Sequence, residues 1–579
     1  MKFLLTAVNA KYIHSNPGLY SLRAFAKQYA EHIEIVEYTI NNLKEQILAD
    51  IYKKQPDVIA FSCYIWNWEI IQDLMIELHK ILPKVPIWLG GPEVSFDAEE
   101  IMRTYSFLTG IMLGEGELTF CELMSHYVDN AIQLQDICGI CTTQGLTKTR
   151  ELTNLSDMPF LYHDLEQFQN KIIYYESSRG CPFRCSYCLS SIDKQVRLRD
   201  IHIVRKELQF FLDNQVAQVK FVDRTFNCNH AHAMAIWSYL KEHDNGITNF
   251  HFEISADIIN QEEIALLNTL RPGLAQLEIG VQTTNPDTLK AIHRFVKFER
   301  LQEVVQNIHK GNNIHMHLDL IAGLPYENYD SFVNSFNDVY QLHPEQLQLG
   351  FLKVLKGSEM HERAEEYGIV YQSKPPYEIL YSKWLPYEDV LRLKRIEEMV
   401  ELYYNSNQFT AAIPVLEKAF ATPFDLFQAL SEYYEQKGYF VNSPARAYRY
   451  QVLLEFATSV DLENEALYYE LLTYDMYLRE NLKSRPDFAP DLECYKESIR
   501  TFYQREETER KHLPDYVSYH AKQMSKMTHM EVFHYPVWEK DTEKVMQKLK
   551  QPKMVLFDYQ NRDALTYQAS TKVFDTLII

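Results

Sequence analysis

Hydrophobic positions along the chain fall into three regimes. From residue 1 to about 130, short apolar runs alternate with stretches whose apolar residues recur every three or four positions. These are the periods of strand and amphipathic helix. The runs predict strands over 3–8, 33–38, 58–62, 86–89 and 107–113, and the longer stretches predict helices such as 19–29 and 66–81. Asn16-Pro17 offers the first of these helices a cap and a first-turn proline. Five strands with intervening helices predict a doubly wound parallel sheet, which takes ligands at the carboxyl ends of its strands.

A connecting segment with short strands is expected over 131–165, and a second series then begins. Its strands are predicted over 172–176, 218–222, 250–255, 276–281, 314–320 and 346–352. Six βα units predict a full or partial α/β barrel with its chemistry at the strands' C-terminal ends. From about residue 375 helical patterns rich in Tyr, Leu and Glu take over, as in 390–404 and 466–480. The late MEVFHYP and KMVLFDYQNRD segments predict a short sheet. The expected domains are therefore 1–130, 131–165, 166–375 and a mostly α-helical 376–579, giving an α/β chain with a helical tail.

Composition narrows the class. The 579 residues are 46% hydrophobic and 24% charged, ordinary globular values that exclude a disordered or collagen-like chain. A net charge of -21 argues against general duplex binding, which needs an excess of Lys and Arg. The apolar run in MKFLLTAVNAKYIHS is too short for a signal peptide, and no stretch reaches the roughly 20 apolar residues of a membrane span. A cytoplasmic protein without membrane contact is expected. Three of the nine cysteines crowd between Cys181 and Cys188. In a reducing compartment that favours metal or redox chemistry over disulfides.

The crowded segment reads Ser178-Arg179-Gly180-Cys181-Pro182-Phe183-Arg184-Cys185-Ser186-Tyr187-Cys188, a C-x3-C-x2-C spacing directly after the first strand of the second series. Three thiolates on one loop are soft ligands for iron–sulfur chemistry or zinc. A structural zinc site needs a fourth ligand, for which Cys228 or a distant His would have to serve. Three cysteines on a four-iron cluster instead leave one iron open.

This motif in this place resembles the radical S-adenosylmethionine (SAM) superfamily. The resemblance implies that Cys181, Cys185 and Cys188 ligate a [4Fe-4S] cluster whose open iron chelates SAM. One-electron cleavage then gives methionine and a 5′-deoxyadenosyl radical. It further implies that the Tyr187 backbone contacts adenine and that Asp223, at the end of the second strand, meets the methionyl ammonium. A helix cap is the other reading of Asp223. Glu253, with Ser255 and Asp257, falls where ribose hydroxyls are met, or else in a surface loop. Gln282 lies in Leu277-Glu278-Ile279-Gly280-Val281-Gln282-Thr283, similar to the superfamily's E-x-G-x-Q-S/T element. Asp319-Leu320-Ile321-Ala322-Gly323-Leu324-Pro325 is similar to its D-x-I-x-G-L-P turn.

The N-terminal sheet resembles the cobalamin-binding subclass of that superfamily. Ser62-Cys63-Tyr64, Gly90-Gly91-Pro92-Glu93 and Gly114-Glu115-Gly116-Glu117 match its loops after the third, fourth and fifth strands. By this resemblance Ser62, Tyr64, Gly90, Gly91, Glu93, Gly114 and Glu115 would surround cobalamin. One departure stands out. Where the family's histidine-ligating members carry D-x-H-x-x-G, this chain has Asn9-Ala10-Lys11-Tyr12-Ile13-His14-Ser15-Asn16, so no histidine of that motif is expected on cobalt. The helical tail resembles that of an uncharacterised bacterial group of cobalamin-domain radical proteins.

The expected function is cobalamin-dependent methylation of an unactivated centre in a small-molecule or peptide substrate, with flavodoxin or ferredoxin as reductant. The alternatives are a radical enzyme without cobalamin, catalysing rearrangement, cyclisation or oxidation, and a non-catalytic cluster protein for electron transfer or sensing. Cys138 and Cys141 read as free cysteines, and His230 and His232 as solvated helix-start residues.

Overall fold

The computed structural model describes residues 1–575. They divide into two compact units: Met1–Ile314 with Ile321–Tyr329 and Gly350–Tyr387, and His315–Leu320 with Asp330–Leu349 and the chain from Glu388 onward.

In the first unit, strands β1 (Phe3–Asn9), β2 (Ile33–Thr39), β3 (Val58–Ser62), β4 (Ile87–Gly90) and β5 (Gly110–Met112) pair in parallel, in the order β2-β1-β3-β4-β5. The inner strand β1 is buried along its whole length. It reads as a continuous apolar run because helices cover both faces of a parallel sheet. Trp68–Ile81 packs Ile71, Leu74, Met75 and Leu78 on one face. On the other, Pro17–Phe25 and Gly116–Met124 contribute Leu19, Phe120, Leu123 and Met124. The first of these helices starts where the sequence placed it: Asn16 Oδ1 accepts from Leu19 N (3.2 Å) and Pro17 opens the first turn. The sheet is larger than expected. Strands β6 (Ile140–Thr142) and β7 (Gly145–Leu146) extend it antiparallel beyond β5, their turn made at Gly145 (φ +102°). Ile137, Ile140 and Cys141 are buried by this addition, which draws part of the expected connecting segment into the first sheet.

The second series begins with β8 (Ile173–Tyr175), followed by a short hairpin of β9 (Ser178–Arg179) and β10 (Arg197–Leu198). Strands β11 (Gln218–Phe221), β12 (Asn249–Ile254) and β13 (Ala275–Gln282) follow β8 in parallel register. With β14 (His315–Ala322) and β15 (Gln346–Phe351), which give only their C-terminal residues to this unit, the order is β15-β14-β13-β12-β11-β8. That is a partial (β/α)6 barrel. Its first strand is tied to the N-terminal sheet, since Ile172 N donates to Ile13 O (2.8 Å).

The second unit is built on Glu465–Arg479, a helix buried on nearly every side from Leu471 to Leu478. An antiparallel sheet closes the unit: Thr528–Phe533, Lys553–Arg562 and Ala569–Asp575. No helix among the described residues is long and apolar enough to cross a membrane.

Candidate functional site

The cysteine loop is the tip of the β9/β10 hairpin. Gly180 adopts φ +94°, and a Cβ there would collide with the Gln195 carbonyl, so both conformation and space call for glycine. Cys181 N donates to Asp193 O (3.1 Å), Ser186 N to Ile292 O (3.2 Å) and Met360 N to Ser186 O (2.8 Å), fixing the loop on several sides. Cys181 is buried, with its Sγ 3.5 Å from Thr225 Oγ1; Cys185 and Cys188 are half-buried. Burial pushes the Cys185 thiol up, the Arg294 guanidinium opposes this, and the Cys188 and Cys181 sulfurs reinforce it. Three soft donors within electrostatic reach of one another fit an iron–sulfur cluster held by this loop. Cys228, the alternative fourth ligand for zinc, is pushed up to about 11, mainly by burial and then by Asp223 and Cys181.

Asp223 does not face the cleft above the barrel. It is fully buried and accepts from Ser177 N (2.9 Å), Ser177 Oγ (2.6 Å) and Ser178 Oγ (2.6 Å). Burial raises it to about 7 against the pull of those donors. It braces the strand end from which the cysteine loop springs. His232 extends the brace: far from being solvated, it is buried with Nε2 3.1 Å from Ser177 Oγ. His230 is the more exposed of the two and pairs with Glu262 and Glu263.

Glu253 points into the barrel, 3.9 Å from Lys220 Nζ, which also lies 3.1 Å from Glu278. Ser255 and Asn227 exchange bonds: Ser255 N donates to Asn227 Oδ1 and Asn227 Nδ2 donates to Ser255 O, both at 2.9 Å. Ser255 Oγ donates to Asp257, so these two residues shape a loop.

Gln282 fits a ligand site best. It is buried at φ +73°, and its Oε1 has no hydrogen-bond partner. Its Nε2 occupies the space that a Cβ on Gly280 would need, which explains the glycine of the motif. A buried acceptor without a donor costs about 1–3 kcal/mol. A donor on a bound molecule removes that cost. Sequence reasoning missed Arg294, which carries no motif signal. It donates Nη1 to Tyr187 Oη (3.1 Å) and Nη2 to Gly280 O (2.7 Å), locking the aromatic of the cysteine loop to the end of β13.

At the N-terminal sheet's ligand edge, Tyr64 stacks on Trp66 (4.3 Å between centroids, 9° between planes). Together with Ala10 and His14 they wall a cleft of about 320 Å³ whose remaining side is formed by Tyr174 of β8 and Val222 after β11. Flat rings and apolar walls suit the face of a conjugated macrocycle such as cobalamin. His14 Nδ1 lies 2.6 Å from Tyr174 Oη, and burial, with Lys11 and Lys220, pushes its pKa down, favouring the neutral imidazole.

The other cobalamin-loop residues divide. Ser62 Oγ accepts from Asn16 Nδ2 (3.1 Å), joining two loops of the edge. Gly114 (φ +68°) faces open space, as a ligand loop can. Gly90 would make only ordinary contact with Met112 if it bore a Cβ. The need for glycine at 91 (φ +110°) comes instead from Cys63, whose carbonyl lies 2.5 Å from where a Cβ would stand. Glu93 accepts from Tyr377 Oη and lies 3.6 Å from Lys356. Against the push of burial, Arg197 (2.5 Å) and Arg179 (3.3 Å) hold Glu115 down to about 2. These two carboxylates fasten the sheet to the barrel segment and are not directed at the cleft.

Family models match in three places: a B12 binding domain over residues 4–124, the radical SAM superfamily over 175–339 and a protein of unknown function (DUF4080) over 365–557. Fold and site thus define a radical SAM protein with an N-terminal B12-binding domain. The DUF4080 match stands on the C-terminal side of these two domains.

The cobalamin-dependent radical SAM methyltransferase TokK of Streptomyces tokunonensis is 24% identical over 54% of this chain and 50% of that protein. The chain therefore spans about half of that relative's length. The uncharacterized methyltransferase PH0819 of Pyrococcus horikoshii is 23% identical over 60% of the chain and 78% of that protein. Among solved structures, the cobalamin-dependent SAM radical enzyme OxsB with aqua-cobalamin bound superposes with a TM-score of 0.56. The match covers 82% of this chain and 79% of OxsB at 16% identity, a likeness of fold.

Proposed function

We propose that the protein is a cobalamin-dependent radical SAM methyltransferase acting on an unactivated carbon or phosphorus centre of a small molecule or peptide. The observation that carries this reading is the shared cleft. The ligand edge of a B12-type sheet and the first two strands of a radical SAM barrel wall one space, and the cysteine loop springs from the end of the first of those strands. When bound, the cluster, SAM and cobalamin supply the one-electron and methyl-transfer chemistry. The chain's residues do the holding. Cys181, Cys185 and Cys188 grip the cluster, and Gln282 and the Tyr187 backbone orient the nucleoside. Tyr64 and Trp66 offer a flat platform, while Tyr174 fixes the His14 ring. An external one-electron donor, flavodoxin or ferredoxin, and a cytoplasmic setting complete the reading.

A second reading, a radical enzyme without cobalamin, draws support from Glu93 and Glu115, whose carboxylates are taken up by protein partners. Anaerobic purification with hydroxocobalamin, followed by methyl-deuterated SAM and mass spectrometry, separates the two. Near-stoichiometric cobalamin with deuterated methyl groups on an acceptor is the expected result. An intact iron–sulfur absorbance and 5′-deoxyadenosine release without cobalamin would favour the second reading. Ala in place of Cys181, Cys185 or Cys188 is expected to abolish the absorbance, and its survival in any of the three would remove that residue from the ligand set.

A further inference from the structure

The second unit has a cleft of its own. Its long buried helix, Glu465–Arg479, sends two consecutive tyrosines different ways. Tyr468 is buried with its hydroxyl on Asp461 (2.7 Å), whereas Tyr469 is half-buried and lines a cleft of about 430 Å³. Phe488 and Tyr535 give that cleft two more half-buried rings, and His534 and Lys548 give it side-chain nitrogen. The volume is that of a small-molecule site.

Each wall is held from behind. Glu470 is buried and gathers the bend that follows Thr528–Phe533. Its Oε2 accepts from His534 N (2.8 Å) and Tyr535 N (2.9 Å), and its Oε1 lies 2.9 Å from His534 Nδ1. Leu549 N donates to His534 O (2.8 Å), which brings Lys548 to the same rim of the cleft. Phe488 stands on a loop tied down by Arg485. That arginine donates to Ala489 O (3.2 Å) and Pro490 O, and grips the buried Glu531 through Nε (3.0 Å) and Nη2 (2.9 Å).

Two kinds of group are left to face the open space. Among the described residues, Tyr469, Phe488 and Tyr535 make no ring contact with another aromatic, so their faces are available for stacking. His534 has Nδ1 engaged by Glu470, which leaves Nε2 as the nitrogen for a ligand. Lys548 is exposed, and its ammonium has neither a hydrogen bond nor an ion pair among the described residues. Flat apolar walls with an ammonium and an oriented imidazole at one rim match a molecule that carries a ring at one end and an oxyanion at the other.

We propose that the second unit binds a ring-bearing anion in this cleft, with the ring against Tyr469, Phe488 and Tyr535, the carboxylate or phosphate on Lys548 Nζ, and a hydrogen bond at His534 Nε2. The anion is a mononucleotide or an aromatic acid, which share that chemistry. The site lies wholly within the second unit and does not depend on the proposed methyl transfer.

The test uses the full chain with its cluster reconstituted and SAM saturating, so that a nucleotide cannot register at the SAM site. Calorimetric titration compares AMP and benzoate with their uncharged counterparts, adenosine and benzamide. The proteins are wild type, Lys548→Glu, which alters an exposed and unbonded side chain, and Tyr469→Ala, matched for far-ultraviolet spectrum and thermal midpoint. The expected result is a single site for at least one of the anions, weakened about tenfold or more by either substitution and by loss of the ligand's charge. Tighter binding of AMP would assign the cleft to nucleotides, and tighter binding of benzoate to aromatic acids. Binding of neither anion, or binding that both variants leave unchanged, would overturn the proposal. A failed methyl transfer would leave these readouts intact and bear only on the proposed function.

Discussion

Asp223 and Arg224, just past the end of β11, are neighbours with opposite fates. The acid is buried and consumed by two serines; the base is exposed. Asp223→Ala would strand the Ser177 N–H and the Ser178 hydroxyl in a buried site, at about 1–3 kcal/mol for each unsatisfied group, while Ser177 Oγ keeps His232. The variant is expected to unfold at a distinctly lower denaturant midpoint while its SAM affinity, once the cluster is loaded, stays within a few-fold of wild type. Unchanged stability with lost SAM binding would instead make Asp223 a direct ligand. The motif told the sequence reader that an acid stood at the right strand end. Gln282 was legible in its motif; its left-handed backbone and orphaned oxygen were not, because both depend on the glycine two positions earlier and on tertiary packing.

At the scale of elements, the β9/β10 hairpin and the loop after β5 form one electrostatic joint. Arg179 and Arg197 stand at the two roots of the cysteine loop, and both reach Glu115, while Arg179 also meets Glu117 (3.1 Å) and Glu176 (2.8 Å). Glu115→Gln keeps the shape and removes the charge. The expected outcome is a loop less firmly held: lower iron retention on gel filtration and a broadened signal from the reduced cluster in electron paramagnetic resonance, with the wild-type far-ultraviolet spectrum. Identical iron retention and line shape would show that the joint does not position the loop. The individual helices and strands were readable from periodicity, but this joint was not. Glu115 matched a cobalamin loop by sequence, and nothing local foretold that arginines 64 and 82 residues away would claim it.

On the scale of the whole molecule, one buried acid sets a pH dependence in the second unit. Asp475 accepts from Ala411 N (2.8 Å) and Ala412 N (2.9 Å), joining the long buried helix to the segment before Ala412–Leu416. It is fully buried, and burial raises its pKa to about 7, well above the roughly 4 of an unfolded aspartate. The folded state therefore prefers the protonated acid. Its contribution is complete below pH ~4 and is lost as the pH climbs to 7, by on the order of 1 kcal/mol per pH unit. Denaturation of the full chain at pH 5.5 and 7.5 should show the second unit weaker at the higher pH, and Asp475→Asn should shrink that difference. An equal difference in the variant would place its origin elsewhere.

The barrel's sheet ends at β8, and what borders that strand carries a further meaning. The Tyr162 hydroxyl both accepts from Tyr174 N (3.2 Å) and donates to Tyr174 O (2.5 Å), while Ile13 takes the N–H of Ile172. A phenol and a loop of the other domain thus stand in for the strand that a closed barrel would have placed there. Without them β8 would present bare peptide groups, a template onto which any extended chain can add. The connecting segment that carries Tyr162 is consequently a stopper as well as a connector: separated from it and from the Ile13 loop, the barrel would be left with an adhesive margin and a tendency to polymerise.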